Sequence, residues 1–314
     1  MTTHKNPIYT DETAAREHFE ALRWPNGPTC PFCGTRERVA ALGGKSMGPG
    51  WYHCKDCRKK FTALVGTVYE RSHIPLTMWL YVTHLLCSSK KGISSHQIMR
   101  MTGLTYKSAW FMTHRIREAM AERGLLPTMG GEGGIVEIDE TFIGKKEGMP
   151  VQRGYAHKHA VMTLVERRPG GARARSFHVE GTAAADLLPI IKAHVSGGSH
   201  IMTDEAGQYA HLNKHFTEHD YVTHSKGEYG RGLIHTNTVE GFYSVFKRGM
   251  KGVYQHCAEH HLHRYVSEFD FRYNNRSKLG VEDAARAETA IRGAVGKRLT
   301  YKKPRGEQVQ DSLC

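Results

Sequence analysis

Three acidic residues that lie far apart in the chain have the chemistry to hold divalent metal ions. Asp139 stands in the strand-like stretch GIVEIDETFIG, Asp204 ends a second strand-like run, and Glu240 begins an amphipathic helical pattern. Thirty-five residues separate Asp204 from Glu240. Carboxylates carried by two strands and a helix can hold two metal ions when the fold gathers them. A single acid is more often a surface or capping residue, so the set, and not any one member, favours a metal site.

The alternating pattern around Asp139 gives the two faces of its strand different roles. Glu137 shares the face of Asp139, whereas Ile138 and Phe142 point the other way. One face is therefore expected to pack and the other to present carboxylates. Glu140 is expected on the face opposite to Asp139.

The helical pattern around Glu240 carries further candidates. Lys247 lies two turns after Glu240 on the same face and can serve as a basic partner. His235 and Asn237 precede Glu240 by about one turn, where they can cap the helix or hydrogen-bond to the metal ligands. The two basic residues Arg248 and Lys251 fit contacts with DNA phosphates, and a solvated helix face fits them nearly as well.

Four of the seven cysteines form two CxxC pairs near the start of the chain. Twenty residues separate the pair Cys30 and Cys33 from the pair Cys54 and Cys57. Two such pairs at this separation are typical of a zinc ribbon, because each tight turn offers two thiolates and four thiolates complete a tetrahedron. The Zn²⁺ would be structural, since no coordination position stays open. A chance set of core cysteines is the less favoured alternative.

Residues 93–110 fit a helix-turn-helix. Ser94 or Ser95 can cap the first helix, Gly103 lies at the turn, and Thr105 can cap the second helix. A helical hairpin that packs without contacting DNA fits equally well. If the segment does bind DNA, phosphates or base edges would meet the first residues of the second helix, Tyr106, Lys107 and Ser108.

A histidine-rich stretch near residue 260 contains the residue types of a second metal site. His256 and His260 are four residues apart and would share one helix face. The simpler interpretation is a helix that lies near the catalytic acids. The neighbours that belong to this stretch are Cys257, His261 and His263.

The composition points to a polyanionic partner. Lys and Arg number 44 against 31 Asp and Glu, a formal charge of +13, and 39% of residues are apolar. No run approaches the roughly 20 apolar residues of a membrane span, and the first ten residues lack the apolar core of a signal peptide. We therefore expect a cytoplasmic, nucleoid-associated protein whose thiols stay reduced. Nucleic acid is the default partner for such a charge, although a basic enzyme without one is about as common.

The order of elements predicts a mixed α/β sheet in the second half of the chain. Helices are predicted over 11–23, within 75–123, over 183–194 and from about 235. Strands are predicted over 134–144, 159–166, 175–179 and 200–204, and 217–234 is predicted to be a loop. Residues 292–305 hold six Lys or Arg and no acid, which indicates a basic tail.

Several stretches together resemble a known family. They are ALRWPNGPTCPFCG, YHCKDCRKKFTALVGTVYERSHIPL, SSKKGISSHQIMRMTGLTYKSAWFMTHRIREAM, VEIDETFIG, TDEAGQY and HTNTVEGFYSVFKRGMKGVY with HHLHRYVSEFDFRYNNR. They span about residues 11–276 and resemble an insertion-sequence transposase of the DDE type, from the family numbered fifteen ninety-five with its ISXO-two-like domain.

The resemblance implies an RNase H-like catalytic domain over 126–276. It also implies a zinc ribbon over 1–70 and a helical DNA-binding segment over 71–125. The remaining residues, 277–314, are the basic tail predicted from charge. Asp139, Asp204 and Glu240 would bind Mg²⁺ or Mn²⁺, with Lys247 as their basic partner.

The implied reaction is cleavage at the ends of the element and transfer of the DNA 3′-hydroxyl ends into target DNA. Double-stranded DNA and further copies of the chain would be the partners. A nuclease of the same fold that only cuts is the first alternative. A DNA-binding regulator derived from an inactive transposase is the second, and the intact acidic set argues against it.

Overall fold

A computed structural model describes residues 5–44 and 47–300. The helices are α1 (Glu12–Arg23), α2 (Leu76–Ser88), α3 (Ser95–Thr102), α4 (Tyr106–Met120), α5 (Ala184–His194), α6 (Asn237–Gly249), α7 (Glu259–Asn274) and α8 (Asp283–Arg292). The strands are β1 (Val39–Leu42), β2 (Trp51–Cys54), β3 (Lys60–Thr62), β4 (Ile135–Ile143), β5 (His159–Arg168), β6 (Gly171–Val179), β7 (His200–Asp204) and β8 (Glu218–Val222). Within these ranges, none of the helices has the length and apolar character needed to cross a membrane.

The chain forms two compact units. The first is built from residues up to 83, residues 95–119 and residues from 288 onward. The second is built from residues 84–94 and 120–287 and contains all three predicted catalytic acids. The four-part division drawn from the sequence stays a prediction.

In the first unit, a small antiparallel sheet in the order β1-β2-β3 follows α1. Asp11 caps α1, and its Oδ1 accepts the backbone N–H of Ala14 at 2.8 Å. Aromatic rings pack against this small sheet. The Trp24 ring lies edge-on to the rings of Tyr52 and Phe61, with centroid distances of 5.3 and 5.9 Å. This packing holds the sheet that carries the second CxxC pair.

Helices α3 and α4 of the same unit meet at a tight turn. Gly103 has φ +72°, a conformation that glycine adopts without steric cost. The Thr105 hydroxyl accepts the backbone N–H of Ser108 at 3.2 Å, which confirms Thr105 as a cap. The buried face of α4 includes Met112 and Ile116, so the helix continues to Met120 as a packed element.

The second unit is organised around a mixed five-stranded sheet in the order β6-β5-β4-β7-β8. Strands β4, β5 and β6 are antiparallel neighbours, whereas β7 is parallel to β4 and β8 is parallel to β7. One face packs on α5 through Leu187 and Ile191. The other face packs on α6 and α7 through residues such as Phe242 and Phe269. This mixed α/β sheet is consistent with the RNase H-like fold.

Two features differ from the sequence expectation. Residues 217–234 contain an edge strand, β8, whose sequence EHDYV carries too few apolar residues to show a strand pattern. The predicted tail over 277–314 contains α8, because Ala287, Ala290 and Ile291 are buried. The last fourteen residues of that segment, 301–314, lie outside the described part of the chain.

Candidate functional site

Asp139 and Asp204 lie on adjacent parallel strands at the point where the pairing of those strands ends. The last pair between β4 and β7 is Glu137 with Met202, and each aspartate follows two residues later on its strand. Both aspartates line one cavity of about 320 Å³. The sheet therefore brings together two of the three predicted acids.

Burial and crowding make the ionised form of Asp139 costly. Burial first, and then the neighbouring carboxylates of Glu140, Asp204 and Glu240, raise the pKa of Asp139 to about 8. One compensating contact is the backbone N–H of Glu140, which donates to Asp139 Oδ1 at 2.7 Å. An acidic set of this kind favours occupation by a cation.

Glu240 stands on the first turn of α6, and its side chain is 47% exposed. Its Oε1 accepts from the Thr236 hydroxyl at 3.3 Å and lies 3.6 Å from His224 Nε2. Glu240 acts on the pKa of Asp139, which places the two carboxylates within electrostatic range. Its side chain is not part of the cavity lining that contains the two aspartates.

Lys247 lines that cavity as the predicted basic partner. Its Nζ lies 5.9 Å from the centroid of the Tyr243 ring. The buried Tyr243 hydroxyl donates to the backbone carbonyl of Asp139 at 2.5 Å. One helix, α6, thus supplies Glu240, Lys247 and a direct anchor for the strand that carries Asp139.

Glu137 is buried instead of presented to solvent, which corrects the expectation for this face of β4. Its Oε2 accepts the backbone N–H groups of Thr238 and Val239, each at 2.8 Å. Its Oε1 accepts from Arg167 Nε at 2.6 Å. A carboxylate at the N-terminus of a helix accepts hydrogen bonds from the free N–H groups and interacts favourably with the positive end of the helix dipole. Glu137 therefore fixes the end of α6 on which Glu240 stands.

Arg167 extends this network into the segment before α6. Its Nη1 donates to the carbonyl of Leu233 at 2.6 Å, and its Nη2 donates to the carbonyl and Nδ1 of His235, both at 2.8 Å. Burial, helped by the Arg167 charge, lowers the pKa of His235. Thr236, and not Asn237, occupies the N-cap position, and Asn237 is the first helical residue. A contact of His235 or Asn237 with a metal ligand stays a prediction.

Glu140 lines the same cavity as Asp139, although it stands on the alternate strand position. Its carboxylate accepts from the Tyr209 hydroxyl and from Gln208 Nε2. Burial raises the pKa of Glu140 to about 7. Its partner Tyr209 belongs to the same core cluster as Ile138, which agrees with the expectation that Glu140 lies on the strand face opposite to Asp139.

The four cysteines of the two CxxC pairs converge in the first unit. Their sulfur atoms all lie within 4.8 Å of one another, with 3.6 Å between Cys30 and Cys57 and 3.5 Å between Cys33 and Cys54. Hydrogen bonds from the backbone N–H groups of Cys57 and Asp56 lower the pKa of Cys54 to about 7. Four converging thiols with this geometry are a zinc-ribbon site.

The predicted DNA contacts lie on exposed helix surfaces. Tyr106 is 45% exposed and stacks on the His96 ring at 4.3 Å. Lys107 is exposed, while Ser108 is half-buried and its hydroxyl accepts from Thr105 at 2.9 Å. On α6 and just after it, the exposed basic residues are Arg248 and Lys251.

The histidine stretch near residue 260 is arranged differently from the helical pattern considered for it. Helix α7 begins at Glu259, so His256 lies before the helix and does not share a helix face with His260. In the described ranges, neither residue belongs to a group of three metal-ligating side chains. Glu259 itself approaches two histidines of the sheet, His159 and His178.

Two family matches cover much of the chain. Residues 10–60 match the transposase zinc-ribbon domain. Residues 132–274 match the ISXO2-like transposase domain, which spans the five-stranded sheet and helices α5 to α7.

One curated relative and one solved structure are similar to the chain. An uncharacterized protein in transposable element ISH50 of Halobacterium salinarum is 26% identical over 304 residues, 87% of this chain and 95% of the relative. The cryo-electron microscopy structure of a simian T-cell lymphotropic virus intasome, in complex with a PP2A regulatory subunit, is 16% identical over 55% of this chain and 63% of that chain, with a TM-score of 0.27. A likeness that weak carries no weight for this chain.

Proposed function

The chain belongs to the ISXO2-like family of DDE transposases, and from that premise we propose that it cuts DNA at insertion-sequence ends and joins the 3′-hydroxyl ends to target DNA. The observation that carries the proposal is the placement of Asp139 and Asp204 two residues beyond the last β4–β7 pair, in one cavity with Lys247. Glu240 is the third acid of the proposed set.

The donor set fits a hard divalent cation. Carboxylate oxygens are the ligands that Mg²⁺ and Mn²⁺ prefer. The raised pKa of Asp139 reflects burial first and then neighbouring negative charge, which a cation would offset. Asp139, Asp204 and Glu240 would hold two Mg²⁺ (or Mn²⁺) ions. When bound, such ions supply activation of the attacking oxygen and stabilisation of the leaving oxygen.

The protein groups provide position and charge. In the nicking step, water attacks a phosphorus atom at the element end, and the bond from phosphorus to the 3′ oxygen breaks. In the joining step, that 3′-hydroxyl attacks a target phosphodiester, and the target 3′ oxygen leaves. Lys247, at the cavity wall, would hold a nearby phosphate or offset charge in the transition state. No covalent protein nucleophile is needed.

DNA recognition is proposed for the first unit. Exposed Tyr106 and Lys107 lie at the first turn of α4, where a recognition helix contacts bases and phosphates. Arg248 and Lys251 are proposed phosphate contacts near the catalytic acids. Binding of two element ends would require more than one copy of the chain.

The test uses the full chain, Mg²⁺, a labelled DNA that carries the element end, and a target plasmid. The end is identified from short inverted repeats that flank the gene within a direct duplication. Asp139→Asn, Asp204→Asn and Glu240→Gln should each lose nicking and joining by several powers of ten, because each removes charge needed at the metal site, while binding of the end persists.

The control is Glu147→Gln, since Glu147 is exposed and outside the cavity lining. Glu140 and Glu205 are less suitable, because Glu140 lines the cavity and the Glu205 carboxylate holds the backbone of Ser225 at 2.9 Å. Cutting without joining would indicate a nuclease. Near-normal joining by Glu240→Gln would show that the third acid is wrongly assigned.

A further inference from the structure

Two histidines and a glutamate converge at a place that the proposed reaction does not use. His159 begins β5, His178 lies near the end of the neighbouring strand β6, and Glu259 is the first residue of α7. Glu259 Oε1 lies 3.4 Å from His159 Nδ1 and 3.6 Å from His178 Nε2. All three ligand atoms lie within 4.8 Å of one another.

The two ring nitrogens that point into this cluster lack hydrogen-bond partners. His159 is 3% exposed, and neither its Nδ1 nor Nε2 of His178 forms a hydrogen bond, although both atoms are buried. Buried polar atoms are nearly always hydrogen-bonded, and a buried atom without a partner destabilises the folded state. The convergence of two such atoms on one carboxylate calls for a ligand between them.

The distances fit a tetrahedral transition-metal site. Ligand bonds of about 2.0–2.2 Å at a tetrahedral angle place neighbouring ligand atoms about 3.3 Å apart. The two histidine–glutamate distances, 3.4 and 3.6 Å, are close to that value. Imidazole nitrogens favour Zn²⁺ and its first-row neighbours, whereas Mg²⁺ prefers oxygen ligands alone.

An ordinary ion pair is the competing explanation of the cluster. It requires a protonated imidazole, and it leaves both buried ring nitrogens without a hydrogen bond to Glu259. Neutral imidazole is the form that ligates metal. The side chain of Glu259 is 54% exposed, which gives an ion access from solvent.

We propose that His159, His178 and Glu259 bind a zinc-class transition-metal ion that joins the start of α7 to strands β5 and β6. The site is separate from the catalytic acids, since His159 pairs with Ile143, four residues beyond Asp139 on β4. None of the three ligands lines the catalytic cavity. The ion would stabilise the entry into α7, which follows an irregular segment with Gln255 at φ +58°.

The first experiment measures the zinc content of the purified full chain. The protein is dialysed against Mg²⁺ without chelator, so that Mg²⁺ displaces adventitious zinc from sites made of carboxylates alone. The wild type should retain about two zinc ions per chain, one of them in the ribbon. Glu259→Gln should retain about one. Glu180→Gln is the matched control, because Glu180 is an exposed acid whose charge acts on His178 but which is not in the cluster. Equal zinc in all three proteins would overturn the proposal.

Spectroscopy of the cobalt-substituted protein assigns the second ion. Cys33→Ser should lose thiolate-to-cobalt charge transfer and keep weak visible bands of a nitrogen–oxygen site. Glu259→Gln should keep the thiolate-to-cobalt charge transfer and lose the weak visible bands of the nitrogen–oxygen site. After mild chelation that empties the nitrogen–oxygen site but not the four-thiolate ribbon, added Zn²⁺ should raise the Tm of the wild type and of Glu180→Gln but not of Glu259→Gln. A Tm response that Glu259→Gln retains would also overturn the proposal.

Discussion

The carboxylate of Glu137 accepts the backbone N–H of Val239 at 2.8 Å. Glu137 stands two residues before Asp139, and Val239 directly precedes Glu240, so this hydrogen bond links the neighbourhoods of two proposed acids. The two residues are 102 positions apart in the chain. Because Glu137 lies on the same face of β4 as Asp139, one rigid strand fixes both an acid of the proposed site and the helix end that supplies another.

Glu137→Gln should weaken this link while conserving size. The substitution removes the charge that faces the helix end and Arg167. Activity should fall about 10–100-fold, as is usual when a group that orients metal ligands is lost. The midpoint Mg²⁺ concentration for cleavage should rise in parallel, and this shift separates positioning from a loss of folded protein. A reduced Tm with an unchanged Mg²⁺ midpoint would contradict the positioning role.

Cys33→Ser should remove zinc from the ribbon. One missing thiolate leaves three ligands, and a structural zinc site holds its ion through four. We expect the N-terminal region of the variant to unfold while the sheet of the second unit stays folded. Circular dichroism and limited proteolysis measure both effects. Wild-type zinc content in this variant would show that the four cysteines do not form the site.

Asp270 should make stability depend on pH. Burial raises its pKa to about 7, and its two oxygens accept from the backbone N–H and hydroxyl of Ser176 at 2.7 and 2.6 Å. The folded state therefore binds the proton more tightly than the unfolded state, and the free energy of unfolding falls as the pH rises from about 4 to 7.

Asp270→Asn should flatten that pH dependence, which amounts to at most about 4 kcal/mol. Asn keeps an acceptor for the Ser176 N–H and can donate to the hydroxyl. Urea unfolding across this pH range measures the slope, with exposed Glu147→Gln as the control. An unchanged slope in Asp270→Asn would assign the pH dependence to other groups.

The basic segment near the C-terminus should contribute to DNA affinity through counterion release. With Lys302, Lys303 and Arg305 replaced by Ala, the fall of log affinity with log salt should become less steep by about two to three units, while preference for the element end persists. These three residues lie outside the described part of the chain, and the prediction rests on charge alone. An equal slope in both proteins would show that the segment does not contact DNA.

Local patterns predicted much of the fold, because strand alternation and helix caps depend on neighbouring residues. Strand β7 has the predicted bounds, and Thr105 caps the helix assigned to it. Strand β8 was missed, since an edge strand with two acids and a histidine among five residues has no apolar alternation.

The contacts that assemble the candidate site depend on residues far apart in the chain. The acids themselves were recognisable from residue type and order. The capping role of Glu137 was not, because it requires α6 to reach β4 across about 100 residues. The cluster around Glu259 likewise depends on strand register and on where α7 begins.

The long separation between β4 and α6 also predicts an order of folding events. Strands β5 and β6 are joined by a tight turn, with Arg168 paired to Gly171, so their hairpin closes a small loop. Docking α6 on Glu137 closes a much larger loop, and such contacts form slowly. During synthesis, the sheet can therefore assemble while α6 is still in the ribosome. A nascent chain would carry both aspartates before it could cut DNA.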